Sequence, residues 1–342
     1  MGLGEMYMDK NDLKNKILGV FYGVAIGDAM GMPTTFMSRE QIKAKYGKVT
    51  NFLEAPMEGS VHSKLVLGEY TDDTELTYMV ADSIISRRHV DPEDMAIRLV
   101  RWADDNDIMN TTLIGPSTRS AIKDLKSGIP YSVTGKNGTT NGCAMKISPV
   151  GIFDAFSDNE QTVKDVINAC LCTHNTALAI SGAAAISFAV KNAVSDEKNL
   201  HAVYEASLEG ADMGAKSMGN PEKSISSRIK EAVDIANSNN TFGSFLDNLY
   251  NFILKPQWAL TEDSVPAAIS IFLYSKGNFR DSILLACNLG ADSDTIGGMV
   301  GAIAGSYAGF DKIPDEWIST IDKSAKRDIM ELGGKFLDAI QL

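Results

Sequence analysis

Two short acidic stretches, "YTDDTELT" from Tyr70 and "GADSDTIGG" from Gly290, set carboxylates and hydroxyls directly ahead of apolar sequence. Asp72 and Asp73 follow Thr71, and Asp292 and Asp294 precede Thr295, with no lysine or arginine in either stretch to neutralise them. Asp72 followed by Glu75 fits a capping box, so each stretch taken singly reads as a helix cap. A cap needs one side-chain oxygen, however, and four carboxylates exceed that need. Oxygen donors without thiolate or imidazole are the ligand set of a hard cation, Mg2+ first, with Mn2+ or Ca2+ behind it. Four carboxylates balance two divalent ions, which favours a binuclear site. Such a site requires opposite ends of the chain to meet, so residues 1–342 are expected to form a single domain.

The elements that must position these residues are helical. Apolar periodicity predicts helices from Leu13 to a stop before Pro33, and over Asp73–Arg87, Pro92–Asp104, Thr176–Val194 and Ser224–Ser238. Further helices are predicted over Phe242–Ile253, Ser264–Ser275, Phe279–Leu289 and Thr295–Gly309. This inventory is all-α. Glycine recurs every fourth residue at Gly19, Gly23, Gly27 and Gly31, and again at Gly297, Gly301, Gly305 and Gly309. Glycine inside a helix costs about 1 kcal/mol relative to alanine, so each stripe calls for close approach of another backbone. Both helices are therefore expected in the middle of the molecule, with Asp28 a hydrogen-bonded core aspartate. Around 191–240 the sequence is more polar, carries the turn signals "VSDEKN", "GNPEKS" and "NSNN", and is expected to be peripheral.

Composition narrows the partners. The 342 residues are 44% hydrophobic and 22% charged with a net charge of -12, which disfavours attraction to nucleic acid or anionic membrane. Cys143, Cys170, Cys172 and Cys287 are too few and too irregular for a disulfide framework or a zinc site, and point to a reducing cytoplasm. The charged N-terminus lacks a signal-peptide core, and no apolar run is read as long enough to span a bilayer.

The segments "GVAIGDAMGMP", "YTDDTELT", "NGCAMKISPVGIF", "THNTALAISGAAAIS" and "GADSDTIGGMVGAIAGSYAG" occur in an order, and over nearly the whole chain, that resembles the ADP-ribosylglycohydrolase family. The resemblance implies a compact all-α fold with two Mg2+ ions in a central metal cleft. It implies Thr71, Asp72, Asp73, Asp292, Asp294 and Thr295 as ligands, with Asp73 or Asp294 taking a proton from water. It also implies substrate contacts from Gly115 and its "GPST" loop, from Asn141, Gly142, Cys143, Ala144 and Met145, and from His174. The expected reaction is metal-dependent hydrolysis of a ribosyl C1 bond in an ADP-ribosylated side chain or a smaller N-riboside.

Two positions depart from the family pattern. Lys146 stands where arginine is more usual, and Thr35 stands where relatives that cleave ADP-ribosylated side chains carry a glutamate. Glu40 lies too far along to replace that glutamate. A prenyl-transfer reading of D-D-x-x-D fails because its last position is Leu76, and the D-x-D-x-T of phosphatases fails because Thr295 comes one position early. The rival reading is a non-catalytic, ligand-binding or crystallin-like member of the same family.

Overall fold

A computed structural model describes residues 8–340 apart from 55–64, 112, 196–197, 220–223 and 257. Seventeen α-helices are found among the described residues: α1 Lys10–Gly31, α2 Arg39–Tyr46, α3 Asp72–Arg87, α4 Pro92–Asp105, α5 Pro116–Lys126, α6 Tyr131–Thr134, α7 Ser148–Phe153, α8 Asn159–Cys170 and α9 Ala177–Ser195. The chain continues through α10 Leu200–Ser217, α11 Ile225–Asn237, α12 Phe242–Phe252, α13 Thr261–Tyr274, α14 Phe279–Leu289, α15 Ser293–Ala308, α16 Asp315–Ser324 and α17 Ile329–Leu337. The one β-type contact among them is an isolated bridge between Thr140 and Leu260.

The centre is the pair α1 and α15. A Cβ added at Gly19 would lie 2.2 Å from the Gly305 carbonyl oxygen, one at Gly23 2.1 Å from that of Gly301, and one at Gly27 1.9 Å from that of Gly297. Each step up one helix is matched by an equal step down the other, so the two run antiparallel with backbones in direct contact. Gly31 faces Ser293 rather than a fourth glycine, and Gly309 lies beyond the stripe, ending α15 at φ +94°. Polar ends and apolar lengths follow from this: Asp28 and Asp294 sit where α1 ends and α15 begins.

Around this pair, α9 is buried along most of its length and α10 closes on it, with Gly210 and Gly214 admitting the Ala184 and Ile180 carbonyls of α9. The polar stretch around 191–240 is thus largely helical, and its small residues rather than its charges decide how α10 packs. The turn signals at 196–197 and 220–223 lie outside the described residues. The reading that no run could span a bilayer needs correction. By length and composition Lys10–Thr34 and Ala177–Ser195 both could, but 100% and 83% of their apolar windows are buried against the rest of the protein.

Pro266 sits inside α13 and has no N–H to offer the Glu262 carbonyl. Arg228 of α11 fills the gap: its Nε donates to that carbonyl at 3.2 Å, while its guanidinium pairs with Asp263 at 3.1 Å and lies 3.5 Å over the Phe252 ring. The start of α13 is thereby fixed beside the 139–146 loop, where Asn141 N–H donates to the Ala259 carbonyl at 3.1 Å.

Candidate active site

Three helices of eight residues or more, α3, α5 and α15, begin at one cleft of about 360 Å3. Asp72 and Asp73 line it from α3, Asp292, Asp294 and Thr295 from α15, and Gly115 from the start of α5. The two acidic stretches do meet. The cleft wall also includes Thr118, Asn141, Gly142 and Met145, and among the described residues no lysine or arginine lines it.

Capping does not account for the acids. The N-terminus of α3 is capped by Thr71, whose hydroxyl accepts from Asp73 N–H at 3.3 Å. Asp292 makes no side-chain cap on α15; its Oδ2 instead accepts from Asn141 Nδ2 and from Ser264 Oγ. Asp294 N–H donates to Thr35 Oγ1 at 3.2 Å. Thr71 does not line the cleft: its hydroxyl donates to Asp28 Oδ1 at 2.9 Å and lies 3.2 Å from Asp73 Oδ2. Fully buried Asp28 also accepts from Thr74 Oγ1 at 2.6 Å and from the Thr71 and Thr74 N–H groups, so it locks the start of α3 to the end of α1. That is the core role expected of it.

Burial and mutual repulsion act together on these carboxyls. Burial raises Asp28 from 3.8 to about 7, opposed by the Thr74 hydrogen bond and reinforced by Asp294. Asp292 also rises to about 7, through burial and then the charge of Asp294, against hydrogen bonds from Asn141, Ser264 and Thr295. Asp73 is pushed well above its usual range by burial and then by Asp28, Asp294, Asp72 and Asp292. Its Oδ1 is buried without a hydrogen-bond partner. An acceptor-only oxygen in that state has the chemistry of a cation ligand. Among the described residues, though, no three His, Cys, Asp or Glu side chains are already closed around one point as a cage.

The remaining expected residues divide between wall and support. Gly115, Asn141, Gly142 and Met145 line the cleft, whereas Cys143 and Ala144 are buried behind it. His174 is fully buried, 2.9 Å from Thr140 Oγ1 through Nε2, and packs under Gly142. Burial and the nearby Lys146 charge push its pKa well below 6.5, so it stays neutral behind the part of the wall formed by Thr140 and Gly142. Lys146 is buried with Nζ 3.1 Å from Thr173 Oγ1, its pKa lowered by burial against the opposing fields of Cys172 and Asp72. One expectation about cysteine is corrected: Cys143 and Cys170 are joined as a disulfide, with Cα atoms 5.6 Å apart, tying the 139–146 loop to the end of α8. The spacing rule failed because the two cysteines are 27 residues apart and meet only through the tertiary fold.

Sequence reasoning missed the apolar walls, Phe36, Leu113, Ile114 and Trp258. Trp258 is 58% exposed and Phe36 adopts φ +62°, its N–H given to the Ala291 carbonyl. Phe36 follows Thr35, whose own hydroxyl is spent on the start of α15 and on Gly31 O at 3.3 Å. Glu40 is exposed on the first turn of α2, bonded to Ser38, and takes no part in the cleft. Phe36 lies three residues after Pro33 of "GVAIGDAMGMP", and nothing local marks either Phe36 or Trp258 as a wall of the cleft.

The ADP-ribosylglycohydrolase family model matches residues 9–342. The chain belongs to this family. An uncharacterised Escherichia coli (strain K12) protein, YegU, is 31% identical over 299 residues, covering 87% of this chain and 89% of that one. The ADP-ribosylarginine hydrolase Tri1 of Pseudomonas putida (strain GB-1) is 27% identical over 308 residues, covering 89% of this chain and 73% of its own length. A solved ADP-ribosylglycohydrolase-related protein complex shares the fold, with a TM-score of 0.70 at 22% identity over 96% of this chain and 98% of that one. The all-α reading is therefore matched by an ADP-ribosylglycohydrolase fold, and the chain is an ADP-ribosylglycohydrolase-type hydrolase.

Proposed function

We propose that this ADP-ribosylglycohydrolase family member is a divalent-metal-dependent hydrolase of a ribosyl C1–N bond, with Asp72, Asp73, Asp292, Asp294 and Thr295 holding two Mg2+ ions, or Mn2+ in their place. The observation that carries this is the orphaned, buried Oδ1 of Asp73 in a cleft walled by four aspartates and, among the described residues, by no lysine or arginine. When bound, the ions supply positive charge on the ribose and water side of the cleft. Thr71 is the sixth expected ligand, and its contacts to Asp28 and Asp73 make it the residue that orients Asp73.

The chain's own groups then divide the work. Asn141 fixes Asp292 and presents the 139–146 loop, while the N-terminus of α5 at Gly115 offers backbone N–H groups and a helix dipole to a phosphate or ribose oxygen. Asp73 or Asp294 takes the proton of the attacking water as C1 gains oxocarbenium character. Phe36, Leu113, Ile114 and Trp258 exclude water from the leaving-group side and stack on a planar group. Phe36 in that wall, with no carboxylate from Thr35, favours a neutral planar leaving group over a guanidinium, and so a small N-riboside over an ADP-ribosylated protein.

Incubation with Mg2+ and a panel of ADP-ribosyl-arginine, ADP-ribosyl-serine and N-ribosides, reading released ribose or ADP-ribose, tests this. EDTA-sensitive release from ADP-ribosyl-arginine or from an N-riboside supports the proposal, with the N-riboside the expected preference; release from ADP-ribosyl-serine alone, where the bond is C1–O, contradicts it. Saturable binding without turnover of any member supports the non-catalytic alternative.

A further inference from the structure

A second cleft, of about 440 Å3, lies at the other end of α14 and α15 from the aspartates. The 16 residues of α15 separate the two by roughly 24 Å at 1.5 Å per residue. Its charge is the reverse of the first. Lys198, Lys276, Arg280 and Lys312 line it, and no carboxylate does among the described residues, in a chain whose net charge is -12. Packing does not call for this convergence, since all four are exposed at their heads.

The local backbone holds the cationic residues together. Lys276 and Gly277 take φ +54° and +71° between α13 and α14, and a Cβ at Gly277 would lie 2.5 Å from the Tyr307 ring, so the ring floors the turn. The N-terminal turn of α14 opens on the same cleft, with Asn278 Oδ1 accepting from Asp281 N–H. Arg280 stacks 5.1 Å over Trp317 and meets Glu316 only at 3.8 Å. Lys312 pairs with Asp311 at 2.7 Å, and that carboxylate, outside the wall, also feels the charge of Lys198.

We infer that this cleft binds a phosphate-bearing small molecule carrying at least two phosphate groups. Glu316 and Asp311 balance two of the four cations from outside the wall, and the surplus of two charges, with a guanidinium fork among the donors, matches the several oxygens of a diphosphate. The chain's overall negative charge works against a long polyanion.

Calorimetric titration of the whole chain with inorganic diphosphate, free of divalent ions, tests the assignment. Saturable one-site binding is expected, weakened on the order of tenfold by the double variant Lys276→Ala/Lys312→Ala and by raising NaCl from about 50 to about 300 mM. It is expected to be unchanged by Asp73→Asn. Lys198→Ala gives a smaller loss and serves should the double variant unfold. Absence of saturable binding, equal affinity in the lysine variants, or loss of binding only in Asp73→Asn would each overturn it.

Discussion

Gly27→Ala places a methyl group where α1 and α15 touch. Its carbon would lie 1.9 Å from the Gly297 carbonyl oxygen and 2.3 Å from the carbonyl carbon. An ordinary C···O contact is about 3.3 Å, so the helices must part by roughly 1.4 Å at that level. Both obstacles are backbone, and no rotamer change relieves them. Overpacking of a tight core costs about 1–3 kcal/mol or more, and alanine returns about 1 kcal/mol of helix propensity. We expect a net loss of about 2 kcal/mol, read as a lower urea midpoint at constant slope. Gly298→Ala is the control, one residue along from Gly297 on the facing helix α15. There the nearest atoms to an added Cβ are Val24 O at 3.8 Å and Val24 Cγ1 at 3.9 Å, so propensity prevails and stability rises by up to about 1 kcal/mol. Gly27 also precedes Asp28, so parting the helices strains the Asp28 bonds to Thr71 and Thr74 and lowers turnover as well. A Gly27→Ala protein unfolding at or above the wild-type midpoint would refute the backbone-contact reasoning.

Asp73→Asn is expected to reduce turnover by on the order of 10²–10⁴ while raising the stability of the metal-free protein, because it removes a carboxyl whose ionisation burial and the neighbouring acids oppose; parallel kinetics and denaturation check both signs. Metal-free protein is expected to lose stability as pH rises through about 7, since Asp28 and Asp292 titrate there when folded but near 3.8 when unfolded. The folded state binds the extra protons between those values, so the advantage is complete below about 4; saturating Mg2+ should remove the loss at high pH, as thermal scans at pH 5 to 8 would reveal. Arg228→Ala leaves the Glu262 carbonyl and Asp263 without their guanidinium and should destabilise by about 2–3 kcal/mol, measured by urea unfolding, whereas Arg228→Lys should recover only part of it.

Long apolar helices were legible in the sequence because their own periodicity forms them. The prediction for α14 matched at both ends, and those for α1, α3, α4, α9, α11 and α15 differed by one to three residues. The four-residue glycine repeat foretold close backbone contact, though not which helix answered which. Helices such as α5, α8, α10, α16 and α17 went unread because their stability comes from one packed face, and α10 is further masked by Gly210 and Gly214. In the site, the acids and the 139–146 loop were visible as local motifs. His174 and Cys143 were visible as residues, but their place behind the wall depends on Gly142 and α8, which lie elsewhere in the chain. Phe36 and Trp258 enter the cleft through a positive-φ turn and the Thr140–Leu260 bridge, neither of which has a local sequence mark.

The most direct test is a count of divalent ions. Crystals soaked in Mn2+ and measured for anomalous scattering should show two peaks between Asp72 and Asp73 on one side and Asp292 and Asp294 on the other, with both lost in Asp73→Asn/Asp294→Asn. Crystals in which saturating Mn2+ leaves that cleft without a peak, or binds only elsewhere, would contradict the account.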